Sequence, residues 1–278
     1  MNTLYKDAEN KTIAVKDRSF IYREIGPRGG IPIIMLHHLT AVLDDWDPAI
    51  IDELAKTHHV IAFDNAGVGG SEGKTPDSVA EMAKDAEAFI DSLGLKKVDL
   101  FGFSLGGFVA QVIAQERPAL VRKMILAGTS PTGGEGISKM GEVLQNALQR
   151  AQKEQKHPKH FLFFSPSEAS QKAANEFLAR LSERKDNLDK PVSNETIHAQ
   201  VVAITKWGMM DSTPLTSITQ PTLVVNGDED VMAPITGSVS LFKRLPNAKL
   251  SIFPDSGHGG IFQYRQEFVQ QARDFLEN

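Results

Sequence analysis

Val98-Asp99-Leu100-Phe101-Gly102-Phe103-Ser104-Leu105-Gly106-Gly107 is an apolar run that ends at a serine fenced by glycines. It reads as a buried strand through Phe103, a sharp turn at Ser104, and a helix that begins at once and carries Val109, Val112 and Ile113. Such a strand-turn-helix holds the serine in strained backbone angles, the arrangement of a nucleophile elbow. Gly102 and Gly106 then meet a steric need, because a β-carbon at either place would clash where strand and helix cross.

On the N-terminal side, Thr12 to Lys16 and Ser19 to Ile25 alternate as hairpin strands, an antiparallel edge closed by a Pro27 to Gly30 turn. Pro32 to His37 and Val60 to Phe63 are apolar at nearly every position, as expected of parallel strands covered on both faces. A short helix is expected between them, from Trp46 to Lys56. A longer one is expected over Thr75 to Leu93, with Thr75 as cap, Pro76 in the first turn and a face of Val79, Met82, Ala86, Phe89 and Ile90. Lys123 to Ala127 supplies a further strand. Strand and helix therefore alternate from residue 32 to 128, which points to a parallel sheet with right-handed crossovers.

The pattern changes at Thr129-Ser130-Pro131-Thr132-Gly133-Gly134. From there to about Leu215 only helical stretches are expected, at 137–153, 167–184 and 194–207, punctuated by Ser165-Pro166 and Lys190-Pro191. Phe161, Phe163, Phe164, Phe177 and Leu181 need something to pack against, so the segment reads as an inserted helical lid. The expected division is a core of residues 1–130 and 215–278 and a lid of 131–214. Pro221 to Asn226 and Ala248 to Phe253 resume the sheet, and Gln263 to Leu276 is the closing helix.

A chain of 278 residues that is 41% hydrophobic can bury a full core. Its net charge of -5, with no basic cluster, argues against a nucleic-acid partner and for a small-molecule one. The absence of cysteine excludes disulfides and thiolate chemistry. Lys6, Asp7, Glu9 and Lys11 interrupt any signal-peptide core, and no apolar run is long enough for a bilayer, so a cytoplasmic protein without membrane contact is expected. Gly67-Val68-Gly69-Gly70 lacks the third glycine of a dinucleotide loop and has Glu72 there instead. Proline interrupts His157-Pro158-Lys159-His160, which reads as a surface loop and not a metal site. Neither a cofactor nor a metal is expected.

A serine hydroxyl needs a positioned base, usually a histidine held by a buried carboxylate. Asn226-Gly227-Asp228-Glu229-Asp230 follows the penultimate strand and Ser256-Gly257-His258-Gly259-Gly260 the last one, so both emerge at the carboxyl edge where the elbow also points. Asp228 and Glu229 are near rivals to Asp230 as the acid.

The order Ser104, Asp230, His258, with Gly-x-Ser-x-Gly on a strand-to-helix turn, resembles the α/β-hydrolase family over nearly the whole chain. The resemblance implies a mostly parallel eight-stranded sheet flanked by helices, with a lid after the sixth strand. His37-His38-Leu39 to Trp46 looks like the family's His-Gly-x loop, and Asp64 to Ser71 like its Asp-x-Arg-Gly-x-Gly-x-Ser loop. Asp230 matches the family acid, and the backbone N–H groups of Leu39 and Leu105 match its oxyanion hole.

Two positions depart from the pattern, His38 in place of glycine and Ala66 in place of arginine. His38 either narrows the acyl pocket or adds a hydrogen bond beside it, and Trp207 is a second candidate for the pocket wall. The implied activity is a serine hydrolase acting on a small or medium carboxylic ester or lactone. The alternatives are perhydrolysis, C–C hydrolysis or amide cleavage by the same triad, or a ligand receptor on the same fold.

Overall fold

The computed structural model describes residues 3–278. The hairpin forms as its alternation dictates: β1 (Lys11–Val15) pairs antiparallel with β2 (Arg18–Ile25), Val15 beside Arg18. The mainly apolar stretches become β3 (Ile33–Leu36), β4 (Val60–Phe63), β5 (Val98–Phe103), β6 (Val121–Ala127), β7 (Thr222–Gly227) and, more exposed at the edge, β8 (Ala248–Phe253). One eight-stranded sheet results, in the order β1-β2-β4-β3-β5-β6-β7-β8, and every pair from β4 onward is parallel. Every residue of β3, β4, β5 and β7 is buried, so helices must cover both faces of the sheet centre.

The helices among the described residues are α1 (Pro48–Leu54), α2 (Val79–Ser92), α3 (Leu105–Glu116), α4 (Met140–Glu154), α5 (Lys159–Leu162), α6 (Glu168–Leu181), α7 (Asn194–Met209), α8 (Ile235–Arg244), α9 (Gly260–Gln263) and α10 (Arg265–Glu277). Among the described residues none is long and apolar enough to cross a membrane. The expected start of α2 is corrected: the cap is Ser78, whose side chain accepts from Glu81 N, and not Thr75. The Thr75 hydroxyl is taken up elsewhere, donating to Ala66 O at 2.9 Å. The helix at α1 is shorter than its apolar pattern because Asp47 caps it from Ala49 N and Pro48 opens it.

No strand lies between Ala127 and Thr222, and α4 to α7 fill that interval. Four of the contacts made by this segment gather on one stretch of the chain. Lys159 pairs with Asp45, Arg180 forks onto Asp47, Asp189 N donates to Asp44 at 2.6 Å, and Gln200 accepts from Thr40 N at 2.9 Å. All four anchors fall in residues 40–47, the loop leaving β3 at the carboxyl edge of the sheet. The surface-loop reading of 157–160 is therefore corrected: Lys159 and His160 are buried, and α5 begins there.

Candidate active site

Because β3 to β8 run parallel, the ends of β3, β5, β7 and β8 meet at one edge, and each contributes a side chain or N–H group. At β5 the chain turns on Ser104, with φ 57° and ψ −117°, a conformation costly for a residue with a β-carbon. The turn is pinned by Ser104 N donating to Ala127 O at 2.9 Å and by Thr129 Oγ1 donating to Ser104 O at 2.9 Å. The steric expectation for the glycines holds. A β-carbon on Gly102 would lie 2.5 Å from Gly106 O, and one on Gly106 would lie 2.0 Å from Leu36 O.

After β7 the carboxylate of Asp230 is buried and fully occupied. Its Oδ1 accepts from Met232 N at 2.8 Å and Ala233 N at 2.9 Å, and its Oδ2 lies 2.7 Å from Nδ1 of His258. A carboxylate only accepts, so Nδ1 carries a proton, and in the neutral imidazole Nε2 holds the lone pair. That Nε2 is buried and has no partner among the described residues. The rival acids are elsewhere: Asp228 accepts from Ser256 N at 3.2 Å, and Glu229 is exposed. The loop after β8 is held from the insertion, with Gly259 N donating to Phe163 O at 2.8 Å. The His258 ring packs on Phe103 and Phe163, centroids 4.9 and 5.4 Å away.

Ser104 and His258 line one cavity of about 310 Å³, together with His38, Leu39, Lys159 and Phe163. Leu39 N–H follows β3 and Leu105 N–H opens α3, where the first turn of a helix has no internal acceptor. Neither group donates to another among the described residues. The sequence thus anticipates five groups at this edge, and the structure brings Ser104, Asp230, His258, Leu39 and Leu105 to it. His38 is on the cavity wall as expected. Trp207 is corrected: it stacks on Phe108 at 5.1 Å, donates to Ser130 O at 3.2 Å, and is not part of the wall.

The residue that sequence reasoning missed is Lys159. It sits on the wall in an ion pair with Asp45, and its ammonium lies 5.7 Å from the Phe163 and Phe177 ring centres. Nothing in a lysine beside a proline marks this, although the apolar run Phe161 to Phe164 right after it requires a nearby core. Burial by itself would raise the Asp45 carboxyl, but the charge and hydrogen bond of Lys159 outweigh it and hold the carboxyl down to about 2. Burial, aided by the Lys159 charge, pushes His38 down to about 3, so its imidazole is neutral. Asp64, in the loop that lacks the usual arginine, is raised well above the carboxylate range by burial and then by Asp189 beside it.

Comparison with known proteins agrees with this architecture. The alpha/beta hydrolase fold family matches residues 31–263. An alpha/beta hydrolase fold protein from Chitinophaga pinensis superposes with a TM-score of 0.95 at 40% identity, covering 99% of this chain and 100% of that one. A 2-hydroxy-6-oxononadienedioate/2-hydroxy-6-oxononatrienedioate hydrolase of Dechloromonas aromatica is 26% identical over 99% of this chain and 97% of its own. A proline iminopeptidase of Lactobacillus delbrueckii is 24% identical over 88% of this chain and 89% of its own.

Proposed function

The chain belongs to the α/β-hydrolase fold family, and from that premise we propose that it is a serine hydrolase cleaving small or medium carboxylic esters or lactones through an acyl-enzyme on Ser104. One observation carries the reading. Asp230 holds His258 by Nδ1 at 2.7 Å, while the unpartnered Nε2 and the elbow serine belong to the same cavity. In this account His258 Nε2 removes the Ser104 proton as Oγ attacks the acyl carbonyl, and the Leu39 and Leu105 N–H groups receive the developing oxyanion. The imidazolium, stabilised by Asp230, returns the proton to the leaving oxygen. Water, deprotonated by the same Nε2, then releases the acid and restores Ser104.

The helical insertion is the lid in this reading: residues 131–214 over a core of 1–130 and 215–278. The cavity's modest size favours a small acyl group, and its lining sets leucine, isoleucine and methionine beside polar groups such as His38 and Thr40. A second reading, hydrolysis of a C–C bond, is favoured by the full-length likeness to the Dechloromonas enzyme. A panel of phenyl esters, lactones, amides and 1,3-diketones, run with the wild type and Ser104→Ala, separates the two. Ester and lactone turnover abolished by the substitution supports the proposal; turnover of the diketones alone supports the second reading.

A further inference from the structure

His38 stands where the family pattern has glycine, and its imidazole has one nitrogen accounted for and one not. Nδ1 lies 2.7 Å from the carbonyl oxygen of Leu39, which can only accept, so Nδ1 carries the ring proton. Nε2 is then a lone-pair acceptor. It is buried with no partner among the described residues, in a residue only 5% exposed that lines the cavity of Ser104.

The ring's position is fixed by the same two phenyl groups that flank the base. His38 packs on Phe103 at 5.2 Å and on Phe163 at 5.3 Å, and His258 packs on both as well. The two imidazoles therefore face one space. His38 also directly precedes Leu39, whose free N–H is read as an oxyanion donor. A group meeting His38 Nε2 is thus attached close to the scissile carbonyl. Much of the surrounding wall is Leu39, Leu144, Leu148, Leu162, Ile197 and Met232, which offer no side-chain acceptor; Asp45 is engaged by Lys159, His157 Nδ1 accepts from Lys159 N, and the Thr40 hydroxyl is a further polar group on the wall.

We propose that His38 is a specificity-determining residue whose Nε2 accepts a hydrogen bond from a hydroxyl or N–H group on the acyl part of the substrate. The substrate class is accordingly a hydroxyacyl or acylamino ester or lactone, not a plain alkanoate. A substrate with the donor satisfies the buried acceptor; one without it leaves Nε2 unpaired, which is the situation in which polar sites discriminate most strongly. The placement of the donor on the acyl side rests on Ser104 being the nucleophile; the acceptor role of His38 does not.

The test compares phenyl 2- and 3-hydroxybutanoate with their methoxy counterparts, which keep the oxygen and lose the donor, each kcat/KM being divided by the alkaline hydrolysis rate. The wild type should favour one hydroxy ester at least tenfold, and His38→Phe should bring that ratio close to one. His38→Leu carries the same expectation should the phenylalanine variant fail to fold. Calorimetric affinity of Ser104→Ala for the same esters provides a readout independent of turnover. Brisk turnover with ratios near one, or ratios equal in the wild type and the His38 variants, overturns the proposal and leaves Ser104 in place. A hydroxy preference kept in binding, with no ester turned over by the wild type, supports the His38 assignment and overturns the nucleophile.

Discussion

Gly106 lies so close to Leu36 that a β-carbon built on it would sit 2.0 Å from the Leu36 carbonyl oxygen. The contact is between α3 and β3, and it sets how near the helix that follows Ser104 approaches the strand that leads to His38 and Leu39. Ser104 and the Leu39 N–H group are thus spaced by a missing side chain.

Gly106→Ala should be severely destabilising, by more than about 4 kcal/mol, because the obstacle is backbone and cannot swing aside. Gly30→Ala, at a position with no atom within 4 Å, is the control and should stay within about 0.5 kcal/mol of the parent. Urea unfolding of the two variants measures the contrast; equal midpoints would contradict the packing argument.

The insertion is anchored by an ion pair whose carboxylate is buried and whose cation is partly exposed. Asp47 is fully buried, caps α1 through Ala49 N at 3.0 Å, and receives Arg180 Nη2 at 2.6 Å. Removing only the cation leaves the carboxylate uncompensated, so Arg180→Met should cost about 3 kcal/mol. Adding Asp47→Asn keeps an oxygen for the cap and removes the charge, so the double variant should recover at least half of the loss. Stability from urea titrations of the three proteins checks this, and a double variant as weak as the single one would count against it.

Asp230→Asn should fold and lose about 10⁴ in kcat. Met232 N and Ala233 N both require an acceptor at Oδ1, so the amide oxygen must go there and the NH₂ must face His258. Nδ1 is then forced to accept, the ring proton moves to Nε2, and the base is gone. Rates within tenfold of the wild type would remove Asp230 from its assigned role.

The buried imidazoles should make the protein acid-sensitive. His38 takes a proton at about 3 when folded and near 6.5 when unfolded. Between those values only the unfolded chain binds that proton, so stability is lost as pH falls through the window, by about 1.4 kcal/mol per pH unit. His37, lowered to about 4 by burial, acts in the same direction, and the raised Asp64 acts in the opposite one. His38→Phe leaves both of those in place, so from pH 6 to pH 5 it should gain about 1 kcal/mol on the wild type. Urea titrations at the two pH values measure it; parallel losses would show that His38 protonates normally in the fold.

Much of the sheet was readable because β3, β4, β5 and β7 are covered on both faces and so are written as mainly apolar runs, with Asp99 the one charge among them. Ser104 was readable because it sits directly after such a run, and Asp230 and His258 because each lies in the loop that leaves β7 or β8. Legibility ended where tertiary contact decides. α8 follows β7 without an obvious cap, and the start of α2 moved to Ser78 because Ala66 claimed the Thr75 hydroxyl. Lys159 reads as a surface lysine until Asp45, distant in the chain, is brought to it. Trp207 faces Phe108 and Ser130 for reasons of packing that no local pattern records.

The central claim is that Ser104 is the nucleophile and His258 its base. A fluorophosphonate probe reacts with a serine hydroxyl only when a base activates it. Intact-protein and peptide mass spectrometry after a timed exposure should find one adduct, on the peptide holding Ser104. It should be absent from Ser104→Ala and slowed at least a hundredfold in His258→Ala. Labelling of another residue, or an undiminished rate in Ser104→Ala, would contradict the account.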